Sequence, residues 1–199
     1  QQNFLILTTD GLWNQSYTGS VGNNDNVENP SRFCTKANGC FDGITSGATV
    51  PSLADTALYW YNGGSNTGIV SLRPDLEPSV AVPGVVPAGP NDPNTHLHMT
   101  TFTLGLGVDG FMKYENNYDT APLVGGDYYK LITGAGGCPW NGGGTYVWPN
   151  PVADSLTAVD DLWHAAVNGS GKYFSAHSPA AVVSGLSAAI AAVAVRTGA

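Results

Sequence analysis

Asp10 is the acid best placed for chemistry in this chain. It follows the apolar run Phe4 to Leu7 in "NFLILTTDGLWN", and a continuous run of that kind is what a parallel strand covered on both faces requires. A carboxylate at the C-terminal end of such a central strand stands where open α/β sheets bind ligands. With hydroxyls and water beside it, it suits Mg²⁺ or Ca²⁺. The same Asp10-Gly11 pair also reads as a turn that merely ends a strand. His96 and His98 alternate, so in an extended segment they face one side, as two metal ligands would. The plainer account is a pair of hydrogen-bonded histidines at a strand edge. A secreted metal-dependent hydrolase using Asp10, His96 and His98 is one functional alternative, and it requires all three to converge on one cleft.

The remaining reactive residues support less. His164 lies one helical turn after Asp160, the spacing of an ordinary helix-surface pair, and His177 precedes a helix cap. "NNDN" with Glu28, residues Asn23 to Glu28, offers oxygens for Ca²⁺ but lacks the spacing of an EF-hand loop, which favours a solvated turn. Gly-x-Ser-x-Gly is absent, and Ser170 in "NGSGK" follows a helix and not a strand. "GAGG" and "GGG" lack the strand-to-helix setting of a phosphate loop. Cys34 and Cys40 sit close together in "FCTKANGC", where a local disulfide would staple a loop with few apolar contacts. Cys138 is then left over from the three cysteines.

Elements must hold these groups in place, and composition bounds what they are. The chain has 199 residues, of which 42% are hydrophobic and only 11% charged, with 26 Gly and 13 Pro. That fits one domain with a real core and a surface of Asn, Ser, Thr and Gly turns, the style of a secreted or cell-surface protein. A formal charge of −8 with seven Lys plus Arg leaves no basic stripe, so nucleic acid is disfavoured as a partner. No stretch reaches the roughly 20 apolar residues of a membrane span.

Strands are expected at Phe4–Thr8 and Thr101–Leu106, adjacent or nearly so and parallel, with "KYFSA" as a short edge strand. "PSLADTALYWYNGG" reads as a helix capped by Ser52 and stopped by Gly63-Gly64. "TAVDDLWHAAVNGSG" is a second helix, stopped at Asn168-Gly169. A third opens at Ser178-Pro179 and runs to Val195, packed on one face of the sheet with Val182, Val183, Leu186, Ile190 and Val193 inward. Residues 12–50 and 111–151 read as long polar loops. The order gives an α/β class with a parallel sheet.

"LILTTDGLWN", "LADTALYWY", "HMTTFTLGLGVDG", "WPNP" and "DDLWHAAVNGSGKYFSAHSP", in that order, resemble the N-terminal region of the PilC/PilY family of type IV pilus assembly factors and tip-associated adhesins. The resemblance implies a von Willebrand factor A-like domain, a Rossmann-like sheet with a metal-ion-dependent adhesion site. Carried over by motif, "TTDG" makes Asp10 a metal-site aspartate. The Asp-x-Ser-x-Ser loop and the threonine of such a site fall before this chain, which is expected to be the C-terminal portion of the domain, 1–199, with insertions at about 12–50 and 111–151. A divalent cation, Mg or Ca, would then have an incomplete site here. The implied function is non-enzymatic: adhesion and pilus biogenesis at an extracellular, outer-membrane-associated pilus tip. The implied partners are minor pilins and other tip proteins, surface or host ligands, and the upstream part of the same domain. A local disulfide suits the oxidising compartment that a surface location implies.

Overall fold

A computed structural model describes residues 2–14, 21–29, 33–43, 52–79, 81, 84–89 and 91–196. Its centre is a three-stranded parallel sheet in the order β1 (Asn3–Thr9), β2 (Met99–Leu106), β3 (Ser170–Ala176). Asn3 lies opposite Met99 and Thr9 opposite Gly105, so the two expected strands are neighbours. Parallel neighbours need crossovers. Helix α1 (Leu53–Tyr61) lies in the first; α2 (Asp127–Thr133) and α3 (Thr157–Asn168) lie in the second, and α4 (Pro179–Arg196) follows β3.

The helices cover both faces. Thr103 Oγ1 donates to the Leu162 carbonyl of α3 at 2.7 Å, whereas a Cβ on Gly185 of α4 would lie 3.1 Å from Leu104. Successive strand residues point to opposite faces, so α3 and α4 sandwich β2, and α1 packs on α3. The result is a three-layer α/β/α arrangement, compatible with a Rossmann-like fold. Among the described residues no helix is long and apolar enough to cross a membrane.

Three expectations change. The fully covered strand is β2, not β1. β1 pairs only with β2 among the described residues, and its residues are half-buried, with Leu5 42% exposed. Thr100, Thr101 and Thr103 are buried in β2 because β-branched side chains fit the pleat and a bonded hydroxyl tolerates burial. Apolar continuity therefore pointed to the wrong central strand.

The inward face of α4 also differs. Gly185 and Ala189 are the residues buried against the sheet, while Val183, Leu186 and Ile190 are exposed. Small side chains let the helix axis come close to Leu104 and Phe174, and that contact decides the rotation of the helix. Its start does follow the sequence: Ser178 Oγ accepts from Ala181 N at 3.2 Å.

Residues 111–151 are no surface loop. They contain α2 and supply most of a core built on Trp163, whose ring lies 5.0 Å from Tyr118, 5.4 Å from Tyr114, 5.6 Å from Tyr128 and 5.7 Å from Trp148. Of the other expected insertion, residues 15–20, 30–32 and 44–50 lie outside the described residues.

Candidate functional site

Parallel strands bring their C-terminal ends to one edge, and the residue just past each strand is the natural ligand contact. Asp10 follows β1 there. It is exposed, and its Oδ1 accepts from Leu12 N and from Thr9 Oγ1, both at 3.3 Å. Gly11, at φ +86°, carries the chain beneath α3, where a Cβ would lie 2.9 Å from Val159. Past β2 and β3 stand Asp109 and His177, joined by Nε2 to Oδ1 at 2.8 Å, with Ser175 Oγ 3.1 Å from the same nitrogen. This couple was not foreseen, since its halves are 68 residues apart and only the β2–β3 pairing joins them.

Two carboxylates and an imidazole open to solvent can accept hydrogen bonds or enter part of a cation's shell. Hard divalent cations are held by six or so oxygens. Among the described residues no group of three or more His, Cys, Asp or Glu side chains is arranged to hold a metal. Asp10 with its own turn hydrogen bonds fits one position of such a shell, and the residues present do not complete it.

His96 and His98 stand at the other end of the sheet. His98 precedes β2, Asp10 follows β1, and the strands are parallel with Asn3 opposite Met99, so about eight residue steps, about 26 Å at roughly 3.3 Å per residue, separate them. The three groups of the hydrolase alternative do not converge. His96 Nδ1 pairs with Glu77 Oε1 at 2.7 Å. His98 is buried, with Nε2 3.2 Å from Asp92 Oδ2, and Tyr61 OH donates to Asp92 Oδ1 at 2.9 Å. Burial, then the Asp92 charge, raises the Tyr61 hydroxyl above its usual pKa. These histidines tie the 71–98 segment to α1 and the sheet.

The "NNDN" turn and His164 are likewise internal. Asn24 and Asp25 are each 1% exposed, correcting the solvated turn. Asn24 N donates to Asp55, which also forms a capping box with Ser52 at the start of α1. Asp161, from α3, accepts from Leu53 N at 2.9 Å and Ala54 N at 3.1 Å, closing that helix N-terminus. Asn168 Nδ2 donates to Asp25 Oδ2 at 2.7 Å. His164 does not pair with Asp160. Its ring stacks on Trp148 at 4.3 Å, and its Nε2–H donates to the Cys40 carbonyl at 2.9 Å. Asp160 instead accepts from Phe111 N at 2.8 Å and Met112 N at 3.1 Å.

Burial sets the charge states in this region. It pushes the carboxyls of Asp160 and Asp161 up to about 7 and about 6, against the backbone donors that each accepts. It raises Asp25 well above the ordinary carboxylate range, with Asp55 and Asp42 adding like charge, and lowers the His164 imidazole to about 3. Cys34 and Cys40 are joined by a disulfide packed on Leu58 and Tyr61, and Cys138 is a buried thiol.

No protein-family model matches this chain, and no solved structure matches it. Curated relatives do. Type IV pilus biogenesis factor PilY1 of Pseudomonas aeruginosa strain PAK is 34% identical over 193 residues, covering 88% of this chain and 14% of that protein. The PilY1 of strain PAO1 is 32% identical over the same shares, and that of strain UCBPP-PA14 is 30% identical over 90% of this chain and 15% of its own. The chain thus spans about one seventh of the relatives it matches.

Proposed function

We propose that this chain, a PilY1/PilC-type sequence along 88% of its length, acts in type IV pilus biogenesis at the cell surface by binding other proteins or surfaces. The observation that carries the proposal is the 34% identity to a protein named as a type IV pilus biogenesis factor. A parallel α/β/α sheet supports the finer reading of a von Willebrand factor A-like unit, in which Asp10 is one carboxylate of a divalent-cation site at the open edge. Adhesion, a pilus-tip position, outer-membrane association and minor pilins as partners belong to the same proposal. The residues offered for recognition are not the loop aromatics, since Tyr118, Tyr128, Tyr146 and Trp148 are buried. They are the exposed apolar side chains after β2: Phe111, Leu123 and Val124, the last 77% exposed.

The test is made in the bacterium that produces the chain. In-frame removal of the coding region is expected to abolish surface pili, counted by electron microscopy. Leu123→Asp with Val124→Asp, which leaves the core intact, is expected to reduce them at unchanged protein level. Normal piliation in both strains would overturn the proposal.

A further inference from the structure

The two outer edges of the sheet are finished differently. On β3 the edge away from β2 is closed by side chains: Tyr118 OH accepts from Tyr173 N at 2.9 Å, and Tyr114 OH donates to the Tyr173 carbonyl at 3.0 Å. Beside them Lys172 Nζ holds Asp119 Oδ1 at 2.7 Å. Charge and covering loops of this kind are the usual guards of a strand that ends a sheet.

β1 has no such guard among the described residues. Its sequence, NFLILTT, carries no charge, proline or glycine, and its register with β2 runs from Asn3 to Thr9 without a bulge. Outside that ladder no backbone N–H or carbonyl of residues 3–9 bonds to a described backbone group. An edge strand of this kind presents a row of donors and acceptors to any strand that comes alongside.

Its side chains call for the same neighbour. Phe4 and Ile6 lie on the α4 side of the sheet with their partners Thr100 and Phe102, and Leu5 and Leu7 lie on the α3 side. Leu7 reaches the aromatic core. Leu5 is exposed, Phe4 and Ile6 are half-buried, and the cover of α1, α3 and α4 falls on β2. Strands of parallel sheets that are apolar on both faces are covered on both. α4 leaves Val183, Leu186 and Ile190 exposed as well, with no charged residue from Pro179 to Val195.

We propose that a further strand of the same polypeptide, from outside these 199 residues, pairs in parallel along the outer edge of β1. Main-chain hydrogen bonds hold it, and it is uncharged and apolar on both faces to match Phe4 to Leu7. The sheet is parallel throughout, and a parallel neighbour arrives with a crossover element, which brings the missing cover. This accounts for an apolar run that the described sheet leaves at its edge. The polypeptide for it is available, since the chain spans about one seventh of its curated relatives, and a tethered strand pairs at an effective concentration near millimolar. A second copy would instead bring its own charge of −8 against this one. The inference rests on membership of the PilY1 group and not on a role in pili, so each can fail alone.

The test places p-benzoylphenylalanine at position 5, in place of the exposed Leu5, in the protein as the producing bacterium makes it. After irradiation the cross-linked peptides are read by mass spectrometry. An adduct to a segment of the same polypeptide outside residues 1–199 is expected, and not from the same group in place of Leu76, which is 59% exposed. An adduct to a second copy, an adduct to a different protein, or no adduct would overturn the proposal. Hydrogen exchange on the same protein gives a second reading. Amides of residues 3–9 are expected to exchange as slowly as those of residues 100–105. Alternate amides of β1 exchanging about tenfold faster or more would show an open edge and overturn the proposal as well.

Discussion

Raising the pH from about 5 to about 8 is expected to destabilise this protein, and the buried groups on α3 set the size of the effect. The carboxyls of Asp160 and Asp161 are raised to about 7 and about 6, so the fold prefers their neutral forms. Their contribution is complete below the ordinary Asp value and is lost as pH rises through those two values. From about pH 5 upward that removes roughly two units for Asp160 and one for Asp161, or about 4 kcal/mol. Asp25 acts in the same direction. His164 opposes them. Its imidazole is lowered to about 3, so its contribution is complete above about 6.5 and lost as pH falls, and it returns about 2 kcal/mol over the same interval. The net loss from these three groups is roughly 2 kcal/mol, and Asp160 goes on contributing to it above the His164 window. Urea unfolding followed by tryptophan emission reads it, because Trp148 and Trp163 are buried. Asp160→Asn removes one of the descending contributions and is expected to flatten the profile or reverse its slope. A midpoint in the parent chain that is constant or rises with pH, or an unchanged fall in Asp160→Asn, would refute the assignment.

Gly110→Ala would place a Cβ 2.1 Å from Asp160 Oδ1 and is expected to cost about 1–3 kcal/mol, read by the same denaturation. Trp163→Ala empties the centre of the aromatic core and is expected to cost about 3–5 kcal/mol in thermal melts, with Trp163→Phe costing less. Replacing Cys34 and Cys40 by Ser opens a loop closed over a separation of 6 residues and is expected to cost about 2 kcal/mol, matched by adding reductant to the parent chain. Asp10→Ala touches only its own exposed turn, so it is expected to change stability by less than about 1 kcal/mol. A larger loss would show that Asp10 has contacts beyond that turn.

The regular elements were legible where local chemistry alone decides them. Ser52 with Asp55 at the start of α1, Gly169 at the end of α3 and Ser178-Pro179 at the start of α4 carry their signals within a few residues. What escaped was every choice made by a distant partner. α2 lies among glycines and scattered aromatics, and its face is defined by Trp163 and Trp148, which periodicity within residues 127–133 does not reveal. The aromatics of residues 111–151 lie in what reads as polar loop, and nothing local says that α3 will cover them. His164 was paired with Asp160 on spacing, yet its actual acceptor is Cys40, 124 residues away. The candidate edge was half visible: Asp10 ends a strand in plain sequence, whereas Asp109 and His177 meet only after β2 and β3 align. Asp25 of "NNDN" reads as solvated because burial of a carboxylate depends on donors such as Asn168, supplied by an element far along the chain.

The pairing of Asn3 with Met99 also sets an order of events during synthesis. When β1 leaves the ribosome its only described partner is still 96 residues from being made, by subtraction of those two positions. At the usual elongation rate of about 5–20 residues per second, the apolar run Phe4 to Leu7 waits several seconds for β2 to be made. Closing so long a loop is slow as well as late, because the entropy of bringing its ends together precedes any gain from the strand ladder. The β1–β2 ladder therefore closes only after the capped helix α1 between its strands has been made.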